Sequence, residues 1–124
     1  METEKVRVLV IDDDPVMLRS VKAVLDERYQ VILANSGTRV VAMMEKKRPD
    51  VVLLDYEMPE CDGAQTLTLI REREEFREIP VYFLTGLGDP KQIEKIMSFQ
   101  PFGYIVKPAA KDKLIEAIEK AVQA

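Results

Sequence analysis

The sequence predicts an α/β domain: a doubly wound (βα)5 arrangement, with five parallel strands in one sheet and helices on both faces. Three observations predict it. Short runs such as Val8-Leu9-Val10-Ile11 and Val51-Val52-Leu53-Leu54 are continuously apolar, as strands buried on both faces must be. Longer stretches between the runs carry their apolar residues at helical spacing, and strand–helix alternation is the pattern of a parallel sheet with crossover helices. The chain has 124 residues, enough to bury one core and too few for two independent ones, so 1–124 is expected to be a single domain.

The first strand is expected over 6–11, β-branched and ending in Asp12-Asp13-Asp14-Pro15. Asp14 suits a helix N-cap and Pro15 the first turn, so a helix follows with Met17, Val21, Val24 and Leu25 on one face. The second strand is read over 30–34. Ser36-Gly37 opens a second helix carrying Val40, Val41 and Met44, which stops before Pro49. The third strand, 51–54, ends at Asp55 and is followed by the loop Tyr56-Glu57-Met58-Pro59-Glu60-Cys61-Asp62-Gly63. Leu67 and Ile70 mark the next helix. The fourth strand, 81–84, ends at Thr85, and Gly86-Leu87-Gly88-Asp89-Pro90 leads into a helix with Ile93, Ile96 and Met97. The fifth strand, 104–106, is closed by Lys107-Pro108, and Leu114, Ile115, Ile118, Ala121 and Val122 form a last amphipathic helix.

Composition narrows the chemistry. With no histidine, serine–histidine and cysteine–histidine catalysis and the usual zinc motifs are excluded. The lone Cys61 has no internal partner and is assigned no role. A net charge of −4 offers no basic footprint for direct nucleic-acid binding. The apolar runs are strand-sized, whereas a membrane span needs about 20 apolar residues. Because Met1-Glu2-Thr3-Glu4-Lys5 also lacks the features of a signal peptide, the expected location is cytoplasmic.

In an open parallel sheet, ligands bind outside the carboxyl ends of the strands. Here those ends carry Asp12-Asp13, Asp55, Thr85 and Lys107. Three convergent carboxylates repel one another, so the site is expected to recruit either a cation or raised pKa values; a divalent metal is the economical answer, and an all-oxygen ligand set favours Mg²⁺. Lys107 supplies a point charge, Thr85 a hydroxyl donor, and Gly86 an amide unshielded by a side chain, all suited to phosphate. A carboxylate nucleophile can form an aspartyl-phosphate.

These residues resemble the receiver domain of two-component response regulators, which has a flavodoxin-like fold. The resemblance covers essentially the whole chain. It is carried by Val-Leu-Val-Ile-Asp12-Asp13-Asp14-Pro15, by Val-Val-Leu-Leu-Asp55-Tyr-Glu-Met-Pro59 with Asp62-Gly63, by Phe-Leu-Thr85-Gly86, and by Gly103-Tyr104-Ile-Val-Lys107-Pro108. It implies a signalling switch, not an enzyme. Asp55 would take a phosphoryl group from a sensor histidine kinase, a phosphotransfer protein or a small phosphodonor, with Mg²⁺ held by Asp12, Asp13, Asp55 and the Glu57 backbone carbonyl. Thr85 and Lys107 would contact phosphoryl oxygens. Tyr104 would turn inward as Thr85 moves, remaking the surface of the fourth helix, fifth strand and fifth helix for a downstream partner. A homodimer formed on phosphorylation, and a cis Lys107–Pro108 bond, are further implications. Glu57 and Leu87 occupy positions that the resemblance ties to the lifetime of the phosphoryl group. The chain departs from the common Gly-Ala-x-Asp ahead of the aromatic, reading Gln100-Pro101-Phe102-Gly103 instead.

Taken singly, each residue has an ordinary explanation. Asp14 is accounted for by capping, Asp55 by a polar strand end, Thr85 by β propensity and Lys107 by solvation. Convergence is what argues for a site. Two rival readings remain at this level: a haloacid-dehalogenase-like phosphatase using Asp12 as nucleophile through its D-x-D-x-V pattern, and an inert receiver-like scaffold. No G-x-G-x-x-G loop follows the first strand to suggest a nucleotide or flavin.

Overall fold

The structure, a computed structural model, describes residues 5–59 and 61–123. Residues 1–4 of the N-terminal stretch, Glu60 in the predicted loop and the terminal Ala124 lie outside the described residues. The strands are β1 (Arg7–Ile11), β2 (Gln30–Ala34), β3 (Val51–Asp55), β4 (Val81–Thr85) and β5 (Gly103–Val106). They alternate with α1 (Pro15–Leu25), α2 (Val40–Lys46), α3 (Gly63–Arg71), α4 (Pro90–Met97) and α5 (Lys111–Gln123), plus one 3₁₀ turn, Glu74–Phe76.

The five strands form one sheet in the order β2-β1-β3-β4-β5, and every pairing is parallel. Alternation along each strand divides the core in two. Leu9, Ile11, Val52, Leu54, Val81 and Phe83 face Val40 and Met44 of α2, Leu67 and Ile70 of α3 and Ile96 of α4. Val8, Val10, Val51, Leu53 and Leu84 face Leu18, Val21 and Leu25 of α1 and Leu114 and Ile118 of α5. The central β3 and β4 are buried at every position, which is why their sequences read as unbroken apolar runs.

Local signals set the helix starts. Asp14 caps α1 by accepting from the Val16 N–H, with Pro15 in the first turn. Asp62 and Gln65 form a reciprocal capping box at α3, and Asp89 caps α4 ahead of Pro90. The second helix departs from expectation. It begins at Val40 rather than Ser36-Gly37, because the Ser36 hydroxyl pairs with Thr38 Oγ1 at 3.0 Å instead of capping. Arg39 stands at the N-cap with no side-chain hydrogen bond. Among the described residues, no helix is long and apolar enough to cross a membrane.

Candidate functional site

The chain reverses its winding direction at β1 and β3, whose carboxyl ends therefore open into a crevice. Asp12 extends the β1 ladder through its N–H to the Ala34 carbonyl, 3.1 Å, and is fully buried. Asp13, next in the chain, is exposed. Asp55 ends β3 and is buried, at 2% exposure. One carboxylate oxygen from each of Asp12, Asp13 and Asp55 lies within 4.8 Å of the others, a spacing that a single cation can bridge. All three donors are hard oxygens, so the set fits Mg²⁺, which takes one or two protein carboxylates and keeps several waters.

Lys107 reaches this cluster from the end of β5. Its backbone N–H continues the ladder to the Thr85 carbonyl at 2.7 Å, and its peptide bond to Pro108 is cis. The ammonium lies 3.0 Å from Asp12 Oδ2 and 3.0 Å from Asp55 Oδ1. Burial and the neighbouring Asp12 carboxylate push Asp55 up to about 7, with Lys107 pulling the other way. Burial also works against the charge on Lys107, but Asp55 and Asp12 prevail and hold its ammonium above the usual lysine range.

Asp12 has both oxygens engaged, Oδ1 by the Asp14 N–H at 2.9 Å and Oδ2 by Lys107. Asp55 differs. Its described contacts, from Lys107 and from the Glu57 N–H at 3.3 Å, both fall on Oδ1, and Oδ2 has no partner among the described residues. Thr85, fully buried at the end of β4, has its hydroxyl 3.1 Å and 3.3 Å from the two Glu57 carboxylate oxygens and 3.2 Å from the Leu87 carbonyl. The Gly86 N–H donates to Glu57 Oε1 at 3.1 Å. A Cβ built at Gly86 would meet nothing within 4 Å, so the space on the side-chain side of this residue is open although its amide is engaged by Glu57.

Asp12, Asp13, Asp55, Thr85 and Lys107 thus come together at one edge, while Tyr104 sits apart on β5, half exposed at 40%. Sequence reasoning tied the position of Glu57 to the lifetime of the phosphoryl group and its backbone carbonyl to the metal; what it missed is that the carboxylate touches Thr85 and Gly86. Only its position two residues after Asp55 pointed there.

Fold and site together define an α/β domain with a cation-seeking, oxygen-lined cleft at the carboxyl edge of its sheet. The comparisons with known proteins place it more narrowly. Residues 8–119 match the profile of the response regulator receiver domain, and the chain belongs to that family. It is 37% identical over 115 residues to the CAI-1 autoinducer sensor kinase/phosphatase CqsS of Vibrio cholerae, covering 90% of this chain and 17% of that protein. It is 31% identical over 123 residues to a nitrate/nitrite response regulator protein homolog of Haemophilus influenzae, covering 97% of this chain and 58% of that one. The chain therefore spans less than two thirds of either relative.

Among solved structures, one similar fold is the receiver domain of the sensor histidine kinase PA1611 from Pseudomonas aeruginosa, described with a magnesium ion coordinated in its active site cleft. It aligns with a TM-score of 0.88 at 25% identity, covering 98% of this chain and 100% of that one. The chemotaxis protein CheY4 of Vibrio cholerae aligns with a TM-score of 0.87 at 25% identity, covering 94% and 98%. The domain is homologous to the phosphoacceptor domains of histidine kinases and response regulators, and is a phosphorylation-activated switch of that class.

Proposed function

We propose that Asp55 is the phosphoacceptor of this switch and that Asp12, Asp13, Asp55 and the Glu57 backbone carbonyl hold Mg²⁺ beside it. The observation that carries the reading is the state of Asp55. It is a buried carboxylate at the switch point of the sheet, anchored through Oδ1 by Lys107 at 3.0 Å, with Oδ2 unengaged among the described residues. Oδ2 attacks the phosphorus of a phosphohistidine on a sensor kinase or phosphotransfer protein, or of a small phosphodonor. The new P–O bond forms as the P–N or P–O bond to the donor breaks, and the donor leaves with the electron pair.

Mg²⁺ supplies charge neutralisation at the transferring group when bound. The chain's own groups do the remaining work. Lys107 fixes the orientation of Asp55 and offers its ammonium to a phosphoryl oxygen, and the Thr85 hydroxyl and Gly86 amide offer two neutral donors at the end of β4. Tyr104 and Val106, each about 40% exposed and two residues apart on β5, support an output face formed by α4, β5 and α5, where a downstream partner or a second copy docks. Regulation by phosphorylation, not turnover of a substrate, is the activity assigned.

The phosphatase alternative fares poorly on the same geometry. Asp12 has a hydrogen-bond partner on each oxygen, the Asp14 N–H on one and Lys107 on the other, whereas Asp55 keeps Oδ2 without a partner among the described residues, which favours Asp55 over Asp12 as the attacking group. Acetyl phosphate labelling with Mg²⁺, followed by mass-spectrometric mapping of the borohydride-reduced aspartyl-phosphate, tests the proposal. The label is expected on Asp55, lost in Asp55→Asn and suppressed by EDTA. Label on Asp12, or continued labelling of Asp55→Asn, would overturn it.

A further inference from the structure

Glu57 stands outside the cluster formed by Asp12, Asp13 and Asp55. Its carboxylate lies instead over the end of β4, within 3.1 Å and 3.3 Å of the Thr85 hydroxyl and 3.1 Å of the Gly86 amide nitrogen. Its own N–H points to Asp55 Oδ1. One residue therefore links the proposed nucleophile to the two groups proposed to receive a phosphoryl oxygen. A carboxylate and a phosphoryl group present the same chemistry to those groups, anionic oxygens that accept charge-assisted hydrogen bonds.

We infer that the Glu57 carboxylate is an internal occupant of the Thr85–Gly86 oxyanion site, one that must leave before the same donors can hold a phosphoryl group on Asp55. The inference rests on the phosphoacceptor reading above. It makes Glu57 a positioning residue that sets how readily the phosphorylated state forms and that holds the Thr85 hydroxyl in its resting direction.

Burial requires the Thr85 hydroxyl to keep an acceptor in either state. Thr85 is fully buried, and a buried hydroxyl without a partner is costly. Within the same reach, the Leu87 carbonyl at 3.2 Å is a neutral alternative acceptor for Thr85, so displaced Glu57 does not leave the hydroxyl stranded. The Gly86 amide has no second protein acceptor among the described residues and is satisfied by whichever anion is present. Exchange of one anion for the other thus conserves the hydrogen bonds of the site, while the displaced Glu57 carboxylate moves into water.

Beryllium trifluoride with Mg²⁺ serves as the phosphoryl probe, titrated into the parent protein and into Glu57→Ala, Glu57→Asp and Asp55→Asn while the Gly86 amide resonance is followed by NMR. Without probe or Mg²⁺, Glu57→Ala is expected to shift that resonance and speed its exchange with solvent. With probe, Glu57→Ala binds about tenfold tighter, as expected when one charge-assisted contact no longer has to be broken. Glu57→Asp keeps the charge but is one methylene too short to span both donors, so it also tightens. That variant separates occupancy of the donors from plain like-charge repulsion. A Gly86 amide indifferent to Glu57→Ala, or a Glu57→Asp affinity equal to the parent's, would overturn the inference alone. Failure of the parent and both Glu57 variants to bind the probe would overturn the phosphoacceptor reading, and the competitor with it.

Discussion

Among the described residues, Lys107 is the cation paired with the three-carboxylate site, touching Asp12 and Asp55 at 3.0 Å each. Formal charge at the cleft is therefore −2 with all groups ionised, and a divalent cation cancels it. If the proposed site holds Mg²⁺ in the folded state alone, the ion should raise stability by about 1.4 kcal/mol at roughly ten times its Kd. Asp13 is exposed and holds no buried contact, so Asp13→Asn relieves repulsion without opening a cavity. In EDTA that variant should unfold at equal or higher urea than the parent, and it should lose most of the Mg²⁺-dependent gain. An undiminished gain would place the metal elsewhere. Lys107→Met has the opposite sign: it strands two buried carboxylates and should cost about 1–3 kcal/mol in EDTA, less than a fully buried pair because the lysine side chain is 23% exposed. Mg²⁺ should return part of that loss. Urea unfolding in the two buffers measures both effects, and a Lys107→Met loss that Mg²⁺ leaves untouched would argue that the carboxylates do not share the cation.

At the scale of elements, the turn from β3 into α3 shows how tightly the site is supported. A Cβ on Gly63 would lie 2.6 Å from the Asp55 carbonyl oxygen and 2.7 Å from Tyr56 Cα, backbone atoms that cannot swing aside. Gly63→Ala should therefore cost about 1–3 kcal/mol by overpacking. Gly86→Ala, at a position with open space around it, should stay within about 0.5 kcal/mol of the parent. The pair is checked by denaturant midpoints, and equal costs would mean that close approach is not what α3 requires. The same elements show what a sequence can reveal. Strand limits were legible to within a residue because two-sided burial leaves continuous apolar runs, as in 51–54 against the observed Val51–Asp55. Residues on strand ends were legible as a site because topology alone brings them to one edge. The start of α2 was not, since Ser36 can pair locally with Thr38 as easily as it can cap. Nor was the contact that the Glu57 carboxylate makes, because a flexible exposed side chain goes where donors are, and the Gly86 amide lies just past a strand end, 29 positions away.

Across the whole molecule, the central strands are anchored more deeply than the edge formed by β5 and α4. β3 and β4 are buried at all positions, and α5 buries Leu114, Ile118 and Ala121 against them. α4 buries one side chain, Ile96, and the adjoining β5 buries one, Ile105, leaving Met97, Tyr104 and Val106 about 40% exposed. Free energy of local opening tracks buried apolar contact, so α4 and β5 belong at the low end and the central strands at the global limit. Native-state hydrogen exchange should show α4 amides opening through a sub-global step, at a free energy well below that of β1, β3 and β4. The weak anchoring has a functional consequence. A switch can use only an element whose alternative arrangement lies within a few kcal/mol, and on the proposed function the weakly anchored α4 with β5, next to Thr85, is the element expected to meet that condition. Ile96→Val, which trims one methyl from the sole buried anchor, should cost about 0.5–1.5 kcal/mol and lower the α4 opening free energy by the same amount, leaving exchange from Leu53 limited by global unfolding. Exchange in α4 as slow as in β3 would remove the physical basis for locating the output there.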